Sequence, residues 1–124
     1  MYKRILPFLL ALALVACGGG SGETRPVSGE HVTVKMLDTT FEYDEIRIPV
    51  GGSVTFVGTS KTIPHNAVAA DGSWSTEDVF GSLEQYEGDE ATLTFDTPGE
   101  YVFFCTFHGN AQGAGMAGKL IVEG

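Results

Sequence analysis

Apolar and polar residues alternate in short runs along most of this chain. From His31 to Met36, Val32, Val34 and Met36 fall on one side and His31, Thr33 and Lys35 on the other, which is the two-residue period of a half-buried strand. Ile46, Ile48 and Val50 alternate up to Gly51-Gly52, and Val54, Phe56 and Gly58 follow. Leu93 and Phe95 mark a strand from Ala91 to Phe95. After the turn pair Pro98-Gly99, a dense apolar stretch from Glu100 to Thr106 places Tyr101, Phe103 and Cys105 on one face. Leu120 and Val122 share a face of the last run, Gly118 to Val122. No segment keeps a helical period over three turns. Asp71 to Glu90 is the least patterned stretch and reads as a long connection with one helical turn. The pattern predicts an all-β fold, a single β-sandwich of about seven to eight strands. Met36 belongs with the core, His31 with the solvent, and Trp74 covers either a sandwich end or the site described below.

The first residues break this texture. Lys3 and Arg4 precede an apolar run from Ile5 to Val15, shorter than the roughly 20 residues a membrane-spanning helix needs. Residues 1–16 read as a signal peptide. Leu14-Val15-Ala16-Cys17 resembles a bacterial lipobox, which makes Cys17 a lipidated first residue. Gly18-Gly19-Gly20-Ser21-Gly22 opens a flexible tether expected to run through residue 30, with the folded domain at 31–124. The chain is thus expected to be exported and held by lipid on the extracytoplasmic side of a membrane, periplasmic or at the cell surface. Without residues 1–16, five basic residues face sixteen acidic ones, a formal charge of −11. That sign disfavours nucleic-acid binding and favours basic partner patches. A monomer is expected.

Candidate chemistry gathers near the C-terminus. Cys105-Thr106-Phe107-His108 is followed by Met116, and Pro64-His65-Asn66 supplies a second histidine from upstream. A thiol, two imidazoles and a thioether make up a His₂Cys set with a weak axial Met, the donor set of a blue-copper electron-transfer site. The chain has two cysteines, three histidines and three methionines, so this set takes up much of its soft-ligand supply. With Cys17 lipidated, Cys105 has no disulfide partner, and metal binding is a reason to keep a free thiol in an exported protein. Pro64 fixes its own φ and pushes Ile63 toward extended geometry, stiffening the approach to His65.

These stretches carry a family resemblance. Gln112-Gly113-Ala114-Gly115-Met116-Ala117-Gly118-Lys119, Glu100-Tyr101-Val102-Phe103-Phe104-Cys105 and Pro64-His65-Asn66 resemble the ligand segments of the cupredoxins, in particular the plastocyanin and halocyanin group. The likeness covers roughly His31 to Gly124. It implies a Greek-key sandwich of the cupredoxin type and one Cu(I)/Cu(II) ion per chain, held by His65, Cys105, His108 and Met116. It also implies that Asn66 and Thr106, each next to a ligand, hydrogen-bond across the site. Seven residues separate His108 from Met116, three more than the family pattern, with the surplus at Gly109-Asn110-Ala111. Gln112 is therefore a rival axial ligand, although Met116 keeps the matching flanks.

The implied function is a membrane-tethered one-electron carrier. It would exchange electrons with redox proteins, a cytochrome or an oxidoreductase, through a His108 edge ringed by Gly109, Ala111, Gly113, Ala114 and Ala117. The alternative is a copper carrier or storage lipoprotein without a redox role. Enzymatic activity is not expected, because copper oxidases and nitrite reductases require further histidines and domains.

Overall fold

The structure is a computed structural model and describes residues 23–124. The signal segment and Cys17 lie outside the described residues. Eight strands and one helical turn follow in order: β1 (Pro26–Ser28), β2 (His31–Met36), β3 (Glu45–Pro49), β4 (Ser53–Gly58), β5 (Val68–Ala69), α1 (Glu77–Phe80), β6 (Glu90–Thr94), β7 (Gly99–Gly109) and β8 (Gly115–Glu123). They form a five-stranded sheet, β1-β3-β8-β7-β5, and a three-stranded sheet, β2-β4-β6. No helix among the described residues is long and apolar enough to cross a membrane.

The alternation seen in the sequence sets which face of each strand is inside. In β2, Val32, Val34 and Met36 are buried while His31, Thr33 and Lys35 are exposed. His31 bonds through Nδ1 to Ser53 Oγ at 2.8 Å on the surface. In β7, Phe103 and Cys105 are fully buried and Tyr101 packs against the core edge. Phe103 meets Phe41 edge-on at 4.8 Å and Phe56 at 5.7 Å. Trp74 closes this cluster, 5.1 Å from Phe95 and 6.2 Å from Phe56 between ring centroids. It is a core residue of the sandwich. Truncating a buried aromatic of this kind to alanine costs about 3–5 kcal/mol.

The expected tether is too long. Pro26–Ser28 pairs in parallel with Glu45–Arg47. Just before it, the Arg25 backbone N–H donates to Asp44 Oδ1 at 2.8 Å, and the guanidinium lies 3.3 Å from Asp44 Oδ2. The ordered fold therefore begins before residue 31. Three residues are too few to show a period, and only Val27 packs inward, so the strand is defined by its partner β3.

The last two strands are also longer than the alternation indicated. β7 continues through His108 to Gly109, and β8 starts at Gly115, so His108 and Met116 lie on strands rather than in a loop. Gly109 pairs with Gly115 at the top of this hairpin. A Cβ built on Gly115, where φ is +74°, would fall 2.5 Å from the His108 carbonyl oxygen. A side chain is thus excluded twice there, by backbone conformation and by space.

Candidate metal centre

Cys105 and His108 are three residues apart on one strand, and strict alternation would turn them to opposite faces. The β7–β8 register shifts between Phe104 and Gly109. Such an irregularity changes the phase of the strand and re-aims side chains. Phe107 consequently turns outward, 45% exposed, and His108 turns toward the thiol. Cys105 Sγ lies 3.6 Å from His108 Nδ1 and 3.7 Å from His65 Nδ1. The two imidazole centroids are 4.9 Å apart. His65 and Cys105 are fully buried, and His108 is half-buried. Among the described residues this trio is the His/Cys/Asp/Glu cluster able to converge on an ion.

The spacing fits a metal. Bonds of about 2.0 Å to nitrogen and about 2.3 Å to a thiolate, at trigonal angles, set the nitrogen and sulfur donors about 3.7 Å apart. His65 presents Nδ1 to the thiol, and its Nε2 is buried without a hydrogen-bond partner.

The surrounding hydrogen bonds fix the ligand-bearing segments. The Thr106 backbone N–H donates to Asn66 Oδ1 at 2.9 Å, and Asn66 Nδ2 donates to Thr106 Oγ1 at 2.8 Å and to the Leu83 carbonyl at 2.9 Å. One buried carboxamide thus joins the residue after His65, the residue after Cys105 and the α1–β6 connection. Polar groups behind metal ligands orient them in this way.

Sequence reading missed two further buried polar residues. Gln85 exchanges both backbone hydrogen bonds with His65, at 3.1 and 3.0 Å, and its Nε2 donates to the Phe56 carbonyl at 3.3 Å. Thr76 Oγ1 accepts from the Ala67 N–H at 3.1 Å. Both lie in the unpatterned stretch from Asp71 to Glu90, where local sequence carries no sign of their burial. The single helical turn expected there is α1.

The extra residues after His108 form a closed hairpin tip. Asn110 Oδ1 accepts from the Gln112 and Ala114 backbone N–H groups at 3.0 and 3.1 Å, and the Asn110 N–H donates to the Ala114 carbonyl at 3.1 Å. Gln112 is exposed on this tip, whereas Met116 is 1% exposed in the core cluster that includes Cys105. Pro64 leads directly into the His65–Gln85 bridge.

Burial, reinforced by the charge of His108 and partly offset by Asp38, holds the His65 pKa below its ordinary 6.5. In the metal-free protein the unfolded chain then binds this proton at higher pH than the folded one. Full stability is present above about 6.5 and declines as pH falls through that value. Urea midpoints of the metal-free protein should drop between pH 7.5 and pH 5, and H65F should flatten the drop.

Comparison with known proteins places the chain in a family. Residues 29–123 match the family described as copper binding proteins, plastocyanin/azurin family. A chloroplastic plastocyanin from Physcomitrium patens is 40% identical over 77% of this chain and 60% of its own length, so this chain spans well under the whole of that relative. Amicyanin-alpha from Methylorubrum extorquens is 29% identical over 97% of this chain and 99% of its own. Among solved structures, a Cu-containing nitrite reductase from Thermus scotoductus SA-01 aligns with 89% of this chain and 25% of its own, at TM-score 0.60 and 28% identity. Pseudoazurin from Methylobacterium extorquens AM1 aligns over 75% of each chain at TM-score 0.54 and 28% identity. Copper is the cofactor of this family, and its plastocyanin and amicyanin members are electron carriers. With a two-sheet β-sandwich, a converging His-Cys-His trio and a family match over residues 29–123, the chain belongs to the plastocyanin/azurin family of copper-binding proteins, the cupredoxins.

Proposed function

We propose that this protein is a lipid-tethered, mononuclear blue-copper carrier of single electrons, with His65, Cys105 and His108 as strong ligands and Met116 as the weak axial one. The observation that carries the reading is the convergence of Nδ1, Sγ and Nδ1 at 3.6–3.7 Å on an ordered, mostly buried frame. Bound copper supplies a one-electron couple between Cu(II) and Cu(I). The chain's own residues supply rigidity and access. The Asn66 bridge holds the His65 and Cys105 segments in one arrangement, which keeps reorganisation small when charge changes. The aromatic core around Phe103 excludes water from the thiolate. The half-buried His108 is the ligand nearest solvent, beside small residues that a partner can approach closely. Electron-transfer encounters use small surfaces, usually under about 1,200 Å² in total. The partner on this reading is a redox protein, and Cys17 carries the lipid that holds the domain at the extracytoplasmic surface.

Voltammetry of the copper-loaded protein tests the carrier role. A reversible one-electron wave within a biological range supports it; an irreversible wave, with ready copper transfer to a metal-free acceptor, would favour copper storage. The axial assignment has its own check. M116Q should shift the potential downward and change the EPR spectrum, while Q112A should leave both as in the parent. An effect of Q112A equal to that of M116Q would reverse the assignment.

The same domain recurs within an enzyme, since a copper nitrite reductase contains a region of this fold. In this chain the described residues form one copper-type trio. The single centre and its half-buried histidine suit electron delivery.

A further inference from the structure

The chain enters the fold at the copper end. β1 runs parallel to β3, and β3 runs parallel to β8, which starts at the Gly109–Gly115 hairpin. Pro26 is level with Glu45, and Glu45 with Lys119, so the chain before Pro26 leads up toward that hairpin. Thr24 lines a groove together with Asp44, Val102, Gly113 and Ala117; Gly113 lies on the hairpin tip and Ala117 follows Met116. The exit is pinned. Besides its contacts to Asp44, the Arg25 guanidinium donates to the Phe41 carbonyl at 3.1 Å and to the Glu42 carbonyl at 3.3 Å. The C-terminus leaves at the opposite end, where Val50 N–H donates to the Glu123 carbonyl and a Cβ on Gly124 would meet Pro98 at 3.2 Å.

The geometry points to a membrane-facing copper edge: a lipid on Cys17 holds the His108 face toward the bilayer, so the redox partner is a membrane-embedded protein rather than a freely diffusing one. This rests on the lipid attachment proposed above. Between Cys17 and Thr24 the chain reaches about 25 Å when fully extended. The sandwich measures about 33 Å from Gly99 to Gly109 along β7. A tether shorter than the domain, fixed beside the hairpin, keeps the copper end nearest the lipid. A partner whose redox group lies close to the bilayer surface then meets His108 without a search through bulk solution. A tether leaving beside Gly124 would present the opposite end.

The test uses the chain from residue 17 onward, without the apolar run Ile5–Val15, coupled to vesicles bearing a maleimide lipid, which makes it independent of whether cells lipidate Cys17. Buried, copper-bound Cys105 is protected from the maleimide. One form couples through Cys17. The other is the C17S chain with a cysteine appended after Gly124. The vesicles also carry a fluorescent headgroup lipid that emits in the blue-copper band. Energy transfer to Cu(II), read as the recovery of emission on reduction to Cu(I), reports distance from copper to membrane. Transfer should be several-fold greater for the Cys17-coupled form, and equal or reversed transfer overturns the orientation. The partner claim is read with host membranes stripped of peripheral proteins. Their electron exchange with Cu(I) protein should be several-fold faster for the Cys17-coupled form, and equal rates overturn it. Failure of the anchor itself appears separately, as an unmodified Cys17 in the mass of protein purified from the host.

Discussion

Replacing Cys105 by serine should abolish the visible band of the copper-loaded protein while leaving the domain folded. The band of a blue site comes from charge transfer between a thiolate and Cu(II), so no other residue among those described can supply it. Serine is nearly the same shape, but its hydroxyl is harder and does not ionise near neutral pH. Copper affinity should therefore fall by orders of magnitude, and any residual Cu(II) should give the weak spectrum of nitrogen and oxygen ligation. The fold should survive. Cys105 is fully buried, and burying a hydroxyl without a partner costs about 1–3 kcal/mol. His65 Nδ1 and His108 Nδ1 lie 3.7 and 3.6 Å from the replaced sulfur, so a small shift of either imidazole gives the hydroxyl an acceptor. H31A is the matched control: His31 is exposed and bonded to Ser53, and its loss should leave the colour unchanged. A blue C105S protein, or a colourless parent, would refute the site.

The reach of the sequence ended where structure depends on pairing between distant segments. Period-two alternation located β2, β3, β4 and β6 closely, because each buries one face and exposes the other. It missed β1 and β5, which have three and two residues and no room for a pattern. It also ended β7 early. Gly109, Gly113 and Gly115 read as loop residues, yet Gly109 and Gly115 pair across a tight hairpin. The Cys105, His108 and His65 trio was legible because its chemistry is rare and its segments resemble a known family. That Cys105 and His108 share a face was harder to see. Their odd spacing needs the register shift after Phe104, and no single residue announces that shift. Gln85 was invisible for a related reason, since its clamp on His65 exists only in the folded bridge. The extra residues after His108 look from sequence like a threat to Met116, but Asn110 closes them into a tip that leaves Met116 buried.

Copper should also raise the melting temperature sharply. His65 and Cys105 are 40 residues apart in sequence, so an unfolded chain cannot gather both with His108 without a large loss of chain entropy. An ion that binds the folded form alone adds stability that grows with the logarithm of its concentration over its dissociation constant. At about a thousandfold excess over that constant the gain is about 4 kcal/mol. For a domain of about 100 residues each kcal/mol shifts the midpoint by about 4–8 °C, so a rise of roughly 20 °C is expected on loading. H65A and H108A should each lose most of it, because a remnant with only two strong ligands binds the folded and unfolded chains more nearly alike. H31A should keep all of it. The scans compare first heatings at one rate, since Cu(II) oxidises a thiol once unfolding exposes it and the transition becomes irreversible. If loading left the midpoint unchanged, the His65–Cys105–His108 cluster would be a buried polar contact of the sandwich, and the electron-carrier reading would fall with it.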